Sequence, residues 1–549
     1  MKIALAQLNY HIGNFDANYF RMRQAMQEAK HRGADLVLFA ELAVCGYPPR
    51  DFLEFEDFIH QCEAFVQKLA QDTASIDIAA IVGAPARNPV IEGKDLFNAA
   101  FFLEAGKIKA EIHKTLLPNY DVFDEYRYFE PGSNTELIEF KDTKLALTIC
   151  EDLWNLGNKN PLYTTCPMDK LTEQSPDLII NISASPFHYT QALDRSKVLK
   201  ANAAAYHLPI FYVNHVGAQT ELIFDGGSLV MNANGKLLDE FPYFVEEIRV
   251  YDTDILKQSK APSNDQQNKE KPRLIHDALI LGLQDYFRKL GFTDAILGLS
   301  GGIDSALCLA LAVKALGSDH VHAIMMPSPF SSDHSVSDSE ILLTNLKVAH
   351  ELIPITDVYE ASLNILNPFF KGKPFDVTEE NMQARLRSLY LMALSNKLGY
   401  ILLNTSNKSE AAVGYGTLYG DMSGGLSVIG DIYKTEVYEL ARYINRESEI
   451  IPESIILKPP SAELRPNQLD QDSLAPYEQL DPILFAYIEQ KKGPEQIKAM
   501  GFESELVNRI LKMVNQAEYK RYQTAPVLRV SKKAFGMGRR MPIVAKYLS

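Results

Sequence analysis

Short apolar runs with the length of β-strands alternate with longer, helix-like segments along the whole chain. In the first half these runs are KIALAQLNY, DLVLFAEL, IAAIVGAPA, KLALTICEDLW, DLIINISAS and LPIFYVNHVGA. Turn signals at Gly106 and at Asn234-Gly235 indicate that some neighbouring strands are joined as hairpins. The pattern therefore predicts a layered α/β domain with a mixed sheet.

The second half shows the same alternation with shorter strands. The runs DAILGL, HVHAIMM and YILLNT are separated by helical segments. This order is typical of a doubly wound, Rossmann-like parallel sheet. Ligands of such sheets bind beyond the carboxyl ends of the strands, so the polar residues that follow these runs are candidate site residues.

A polar segment separates the two halves. Residues 257–273, KQSKAPSNDQQNKEKPR, contain one apolar side chain outside the prolines, Ala261. Such a segment cannot bury enough surface to offset its ordering entropy, so we expect an exposed linker between domains at 1–256 and 274–549. Within the second domain the polar tract 458–481 is predicted to form a lid, with an unstructured insertion as the alternative.

Composition narrows the class of protein. Of 549 residues 46% are hydrophobic, and 55 basic against 70 acidic side chains give a net charge of −15. This charge argues against binding of nucleic acid or of an anionic membrane surface. The start, MKIALAQLNY, is typical of a first strand rather than of a signal peptide. Five widely spaced cysteines without a CxxC pair indicate reduced thiols, so we expect a cytoplasmic protein.

The stretch SGGIDS lies between a strand-like run and a helix-like run. Gly301 and Gly302 allow a tight turn and a close approach to an anion, and the amides that begin the next helix would face phosphates. Asp304 and Glu410 are carboxylates of the kind that hold Mg²⁺ beside substrate phosphates. A structural turn is the alternative for a bare Gly-Gly pair.

SGGIDS resembles the pyrophosphate-binding loop of the N-type ATP pyrophosphatases, which cleave ATP between its α- and β-phosphates. ENMQARLRSLYLMALSN, NTSNKSEAAVGYGTLYGDMSGGL, KPPSAELRPNQ and YKRYQTAP are similar to the NAD synthetases of that group. The resemblance implies that the domain binds ATP, deamido-NAD⁺ and Mg²⁺. It assigns Gly298, Leu299, Ser300, Gly301, Gly302, Ile303, Asp304, Ser305 and Thr405 to ATP, Asn381, Glu410 and Lys520 to deamido-NAD⁺, and Asp304 and Glu410 to the metal. Lys408 and Lys434 are further candidate neighbours of the phosphates.

Cys150 ends the apolar run KLALTIC and is followed by two acidic residues. A cysteine in a strand is most often a packing residue, and acidic neighbours raise its pKa. A nucleophilic Cys150 therefore needs a base and a cation nearby. Glu41, which also follows an apolar run, and Lys114 are the candidates for these roles.

Glu41, Lys114 and Cys150 in these contexts resemble the catalytic triad of the nitrilase superfamily, and in particular the glutaminase domain of glutamine-dependent NAD⁺ synthetases. The resemblance implies an α-β-β-α sandwich for residues 1–256. Glu41 would be the general base, Cys150 the nucleophile, and Lys114 with the backbone amide of Glu151 the oxyanion stabiliser. It also assigns the glutamine site to Tyr120, Glu125, Ser185 and Gln191.

Gln191 departs from the resemblance, because members of this family usually carry lysine or arginine there. A neutral amide donates a weaker hydrogen bond to a carboxylate than a cation does. We therefore expect this chain to bind the α-carboxylate of glutamine more weakly than family members that have lysine or arginine at this position.

The two resemblances together imply ATP-dependent amidation of deamido-NAD⁺ to NAD⁺, with ammonia from glutamine and release of AMP, pyrophosphate and glutamate. A dry passage between the sites would keep the ammonia unprotonated, and we expect a homo-oligomer. Two alternatives remain at this stage. One is another amide ligase or a tRNA-modifying enzyme on the same ATP-binding fold, and the other is a nucleotide sensor without catalysis.

Overall fold

The computed structural model describes residues 1–133, 136–158, 162–257 and 270–548. The chain divides into two compact units, Met1–Lys269 and Glu270–Ser549. No helix in the described ranges is both long enough and apolar enough to cross a lipid bilayer.

The first unit contains four helices and fourteen strands in its described residues. The helices are α1 (Phe15–His31), α2 (Glu56–Ile76), α3 (Pro167–Thr172) and α4 (Gln191–Tyr206). The strands are β1 (Lys2–Gln7), β2 (Leu36–Leu38), β3 (Ala79–Arg87), β4 (Leu96–Glu104), β5 (Lys107–His113), β6 (Ile138–Phe140), β7 (Thr143–Ile149), β8 (Leu178–Ser183), β9 (Ile210–Asn214), β10 (Val216–Gln219), β11 (Leu222–Asp225), β12 (Leu229–Met231), β13 (Leu237–Glu240) and β14 (Glu247–Asp252).

Twelve of these strands form two six-stranded mixed sheets. Their orders are β14-β1-β2-β3-β4-β5 and β13-β12-β9-β8-β7-β6, and β10 pairs with β11 in a separate ribbon. In each sheet the central strands are parallel and the outer ones antiparallel. The predicted hairpins are present, because Gly106 lies between β4 and β5, and Asn234-Gly235 between β12 and β13.

Alternating side chains of each strand divide between two layers. Ile3 and Leu5 of β1 pack with Leu145 and Leu147 of β7 in the core between the sheets. Ala4, which points the other way, belongs to the core beneath α1 and α2. The helices α3 and α4 cover the second sheet in the same manner. This is the expected α-β-β-α sandwich, and burial of both sheet faces explains why its strands appear in the sequence as continuous apolar runs.

The second unit contains twelve helices and five strands in its described residues. The helices are α5 (Lys271–Leu290), α6 (Ile303–Leu316), α7 (Asp333–Leu346), α8 (Thr356–Phe370), α9 (Val377–Leu398), α10 (Lys408–Val413), α11 (Lys434–Ile444), α12 (Glu453–Leu457), α13 (Tyr477–Ile488), α14 (Pro494–Lys498), α15 (Ser504–Gln516) and α16 (Glu518–Arg521). The strands are β15 (Ala295–Gly298), β16 (Val321–Met325), β17 (Ala349–Leu352), β18 (Ile401–Asn404) and β19 (Leu426–Ser427).

All five strands of this unit are parallel, in the order β17-β16-β15-β18-β19. Ile296 of β15 packs in one cluster with Leu391 of α9, so its neighbours Ala295 and Leu297 project to the opposite face. The helix α6 follows β15 directly and packs against it. The prediction of a doubly wound parallel sheet is confirmed.

Two segments predicted from polarity differ in part from expectation. Most of the predicted linker, 258–269, lies outside the described residues. Its last three residues are helical, because α5 begins at Lys271 and Pro272 suits the first turn, where no N–H donor is needed. In the predicted lid, residues 458–476 contain one 3₁₀ turn, Asp470–Asp472, and α13 begins at Tyr477.

Candidate functional site

Cys150 is the first residue after β7 and begins a 3₁₀ turn that ends at Leu153. Its φ of 42° is in the left-handed region, which a residue with a side chain adopts only when its surroundings enforce it. The carboxylate of Asp152 holds the turn, since it accepts the N–H groups of Ile149 (3.0 Å) and Leu116 (2.9 Å). Cys150 belongs to the core between the sheets and is 7% exposed.

Two glutamates and a lysine form a buried cluster in the same unit. Lys114 Nζ donates to Glu41 Oε1 (2.7 Å) and to both carboxylate oxygens of Glu125 (2.8 Å each). The other oxygen of Glu41 accepts the N–H of Ala184 (2.9 Å), and the hydroxyl of Tyr47 donates to Glu125 (2.8 Å). Glu41 and Lys114 are both buried completely. The structure therefore brings together the predicted base and the predicted cation.

The charges of this cluster act on the thiol of Cys150. Burial raises the pKa of Cys150 well above its usual range, and the carboxylate of Glu41 raises it further against the opposing charge of Lys114. Burial likewise raises the pKa of Glu125 to about 7, although Lys114 lowers it. The resting thiol is therefore protonated, and Cys150 becomes a nucleophile only when a base removes its proton.

Three of the predicted glutamine-binding residues, Tyr120, Ser185 and Gln191, belong to two separate contact sets, whereas the fourth, Glu125, contacts Lys114. Tyr120 and Tyr163 donate their hydroxyl hydrogens to the buried carboxylate of Glu151, at 3.0 Å and 2.9 Å. Gln191 Nε2 donates to Ser185 Oγ (2.8 Å). One contact set therefore contains a carboxylate, and the other contains neutral hydrogen-bond donors.

Sequence reasoning missed two polar residues of this site. Asn98 of β4 donates to the carboxylates of Glu41 and Glu125, and Tyr163 contacts Glu151. Asn98 had a usable signal, because it is the one polar residue inside the run LFNAAFF. Tyr163 lies in a loop and has no such signal.

In the second unit the SGGIDS loop connects β15 to α6 and lines a cavity of about 280 Å³. Eight of the nine residues predicted to contact ATP line this cavity, which are Gly298, Leu299, Ser300, Gly302, Ile303, Asp304, Ser305 and Thr405. The ninth, Gly301, has φ 76°, and a Cβ there would lie 2.4 Å from the carbonyl oxygen of Ser335. Glycine at 301 is therefore required for the approach of the loop to α7.

Two carboxylates and a lysine line the same cavity. Lys434 Nζ contacts Asp304 Oδ2 and lies 3.7 Å from Glu410 Oε1. Asn407 Nδ2 donates to the other oxygen of Asp304 (3.0 Å). Burial and the charge of Asp304 raise the pKa of Glu410 to about 8, with Lys434 opposing. Lys434 was a candidate from the sequence alone, and the structure gives it a defined place.

The two carboxylates fit a magnesium site that is completed by substrate. The described residues contain no cluster of three or more acidic, histidine or cysteine ligands. Mg²⁺ commonly takes only one or two protein carboxylates, and it completes its shell with water and substrate phosphates. Asp304 and Glu410 supply such a pair in the cavity that the SGGIDS loop lines.

The two remaining residues predicted to bind deamido-NAD⁺ contact one loop of the cavity wall. Thr417 Oγ1 donates to Asn381 Oδ1 (2.7 Å). Lys520 Nζ donates to the carbonyl oxygens of Gly414 (2.8 Å) and Gly416 (2.7 Å). Tyr415 of the same loop lines the cavity, whereas Asn381 and Lys520 lie behind it.

The predicted lid also contributes to the cavity. Residues 458–464 and Asp470 line it. Glu463 accepts hydrogen bonds from Ser332 Oγ (3.0 Å) and Ser335 Oγ (2.7 Å) of the α7 N-terminal turn, and from Lys458 Nζ (2.7 Å). These contacts join the segment to the wall that carries the SGGIDS loop.

Known proteins with these two units are similar to the chain along its entire length. Residues 2–256 match the family Carbon-nitrogen hydrolase, and residues 275–524 match the family NAD synthase. The chain is 46% identical to the glutamine-dependent NAD(+) synthetase of Synechocystis, with 99% of each covered. It is 40% identical to that of Thermotoga maritima, with 100% of this chain and 99% of the relative covered.

A solved structure supports the same comparison. It is the glutamine-dependent NAD+ synthetase from Acinetobacter baumannii in complex with ADP, at 38% identity and a TM-score of 0.78. The match covers 99% of this chain and 98% of that one.

Proposed function

The chain belongs to the family of glutamine-dependent NAD(+) synthetases, and we propose that its two units divide the reaction of that family between them. The first hydrolyses glutamine to glutamate and ammonia. The second uses ATP and ammonia to convert deamido-NAD⁺ to NAD⁺, with release of AMP and pyrophosphate. Membership of this family sets aside the tRNA-modifying enzyme, the other amide ligases and the nucleotide sensor.

We propose that Cys150, Glu41 and Lys114 carry out glutamine hydrolysis. Glu41 takes the proton of the Cys150 thiol, and the thiolate attacks the carboxamide carbon. Lys114 and the backbone N–H of Glu151 stabilise the negative oxygen that develops. Glu41 returns the proton to the leaving ammonia and then activates the water that hydrolyses the thioester. The buried Glu41–Lys114 ion pair, acting on Cys150, is the observation that carries this proposal.

The glutamine pocket is proposed to contact both charged groups of the amino acid, the α-ammonium group and the α-carboxylate. Glu151 offers its carboxylate to the α-ammonium group, and Tyr120 orients that carboxylate. Ser185 and Gln191 offer hydrogen bonds to the α-carboxylate. Glu125 supports the triad through its ion pair with Lys114.

In the second unit the SGGIDS loop is proposed to hold the phosphates of ATP. The nicotinate carboxylate of deamido-NAD⁺ attacks the α-phosphorus, pyrophosphate leaves, and ammonia then displaces AMP from the adenylate. The ammonium group of Lys434 contacts Asp304 and lies 3.7 Å from Glu410. When ATP is bound, this group can instead form a charged hydrogen bond with the pyrophosphate. Asp304 and Glu410 would hold Mg²⁺, which neutralises phosphate charge when it is bound.

The assay for this function follows four products in one reaction. With deamido-NAD⁺, ATP and glutamine present, we expect NAD⁺, AMP, pyrophosphate and glutamate in equal amounts if the sites are coupled. Omission of deamido-NAD⁺ should stop AMP formation. AMP release without deamido-NAD⁺, or ADP as the product, would be inconsistent with the proposal.

A homo-oligomer is also proposed, and an uncovered apolar face supports it. The fifteen-residue helix α8 buries only Tyr359, while Ile365 and Phe369 are 69% and 75% exposed. Leu389 of α9 and Leu352 of β17 are exposed apolar residues of the same unit. Ile365 and Phe369 lie four residues apart and therefore share one face of the helix, and an exposed apolar face is typical of a protein–protein interface. Sedimentation velocity measures this directly, and a species of 61.6 kDa alone would exclude it.

A cytoplasmic location is proposed from the chemistry of the reaction. Unpaired cysteines are typical of proteins in reducing compartments, and all five cysteines of the chain are free. Fractionation of cells, followed by detection of the chain, tests the location.

A further inference from the structure

Asn98 occupies a position that the alternation of its strand reserves for apolar residues. Ala100 and Phe102, which share its face of β4, belong to the core between the sheets. Asn98 is completely buried there. A buried amide is costly unless hydrogen bonds satisfy it, so its presence calls for a reason.

The amide of Asn98 bridges the same two carboxylates that Lys114 bridges. Its Nδ2 donates to Glu41 Oε1 (2.7 Å) and to Glu125 Oε2 (3.3 Å). Lys114 is anchored to the same residue, because its backbone N–H donates to the carbonyl oxygen of Asn98 (2.8 Å). Asn98 thus contacts every charged member of the buried cluster.

The side-chain oxygen of Asn98 shows which hydrogen bonds fix this residue in the site. Its Oδ1 accepts no hydrogen bond from any described residue. The site thus uses the donor end of the side chain and leaves the acceptor unpaired, although an unpaired buried acceptor is unfavourable. The two donor contacts to carboxylates outweigh that cost, because hydrogen bonds to ionised groups are the strong ones.

From these contacts we infer that Asn98 is a positioning residue for glutamine hydrolysis. Its amide holds the Glu41 carboxylate in line with Lys114, so that Glu41 is placed to take the proton of Cys150. This inference rests on the proposed role of Glu41, Lys114 and Cys150. An N–H donor favours the charged form of the carboxylate that accepts it, and Asn98 supplies such a donor to Glu41.

Several other ionisable groups act on the two carboxylates, and they remain in place when Asn98 is changed. Lys114 contacts both glutamates, and Tyr47 donates to Glu125. The cluster also faces Cys150 and Glu151, while the imidazole of His215 contacts the backbone oxygen of Glu41. A shift in the pH profile of an Asn98 variant therefore reports the lost amide.

The test is Asn98→Leu, which removes the donor at similar volume, with Asn98→Ala as the smaller variant. The acid limb of kcat/KM for glutamine should move to higher pH by about one unit, the worth of one hydrogen bond to a charged group. Alkylation of Cys150 by iodoacetamide, followed by mass spectrometry, should show the same shift without turnover.

Asn202 provides the matched control. It is buried in the same unit and, among the residues that the structure describes, donates only to the carbonyl oxygens of Leu153 and Val198 and has no partner for its Oδ1. Asn202→Ala should lower stability yet leave the midpoint of the acid limb in place. The thermal unfolding midpoint of each purified variant shows whether the first unit, which contains both asparagines, is folded.

The outcomes separate this inference from the function on which it rests. If Cys150→Ala retains glutamine hydrolysis, the assignment of the triad is wrong. If Cys150→Ala abolishes it but both Asn98 variants keep the wild-type midpoint in turnover and in alkylation, Asn98 has only a structural role and the inference fails. If Asn98→Leu does not fold, the same readings on Asn98→Ala decide.

Discussion

The family resemblance assigns Gln191 to the α-carboxylate of glutamine, where a cation is usual, and we propose that its surroundings partly compensate for the missing charge. It is the first residue of α4, a sixteen-residue helix. The N-terminus of a helix carries a partial positive charge that favours anions. Its amide is also fixed by the hydrogen bond to Ser185 Oγ (2.8 Å). A preorganised neutral donor at such a position can bind a carboxylate, but more weakly than lysine does.

Replacement of Gln191 by lysine should therefore strengthen glutamine binding. The gain from a charged hydrogen bond, about 1–2 kcal/mol, corresponds to roughly a tenfold lower KM for glutamine. A lysine in the first turn costs the helix less than about 1 kcal/mol, so the fold should tolerate it. Steady-state kinetics with glutamine and with ammonium salts measure the effect.

The control for this variant is Gln61→Lys, which adds the same charge on α2. The KM for ammonium should stay unchanged in both variants. A KM for glutamine that is unchanged or higher in Gln191→Lys would show that residue 191 does not contact the carboxylate.

Local patterns mark the positions of Glu41 and Cys150, whereas only the family resemblance assigns Lys114. Cys150 directly follows β7, and Glu41 lies three residues beyond the end of β2, so each comes after an apolar run that can be recognised locally. Lys114 follows β5, KIKAEIH, which alternates polar and apolar residues and has no such run. The contacts of Asn98 and Tyr163 depend on which strands and loops become neighbours. That information lies in the sheet register, which no local pattern contains.

At the scale of elements, burial decides which strands the sequence predicts. The strands β15, β16 and β18 are buried and appear as apolar runs. The edge strand β17, AHEL, is exposed at every residue, and β19 has only two residues, so neither has a readable pattern. For the same reason LPIFYVNHVGA appears as one run, although the structure divides it at His215 into β9 and β10.

The hydrogen bonds of the predicted lid to α7 lead to a prediction about ATP binding. Glu463 is the one acidic residue that joins it to Ser332 and Ser335 at the start of α7. Glu463→Ala removes these bonds and the ion pair with Lys458, which keeps its contact with Ser335 Oγ. Because each bond to a charged group contributes about 1.5–3 kcal/mol, the KM for ATP should rise tenfold or more.

Glutamine hydrolysis measured without ATP provides the internal control, since its residues lie in the other unit. Glu478→Ala, an exposed glutamate in the first turn of α13, is the matched surface variant. An unaltered KM for ATP in Glu463→Ala would show that the segment does not close over the nucleotide.

At the scale of the whole molecule, each unit has its own core and its own set of candidate site residues. The clusters that surround β1 and β7 contain only residues of the first unit, and the cluster around β15 contains only residues of the second. A substitution that removes a catalytic group without disturbing a core should therefore abolish the activity of one unit and leave the activity of the other unchanged. The two proposed half-reactions provide separate assays for this division.

Cys150→Ala and Asp304→Ala are the reciprocal pair that tests the division of labour. Cys150→Ala removes the nucleophile and one sulfur atom, so glutamine hydrolysis should fall to background. Ammonium salts should still support NAD⁺ synthesis, because the second unit accepts ammonia from solution. Asp304→Ala should abolish NAD⁺ formation from both nitrogen sources, since it removes a partner of Lys434 and a proposed magnesium ligand, while glutamine hydrolysis persists. If a folded Cys150→Ala chain loses both activities, the two units do not act separately. If it still makes NAD⁺ from glutamine, Cys150 is a packing residue and the nucleophile lies elsewhere.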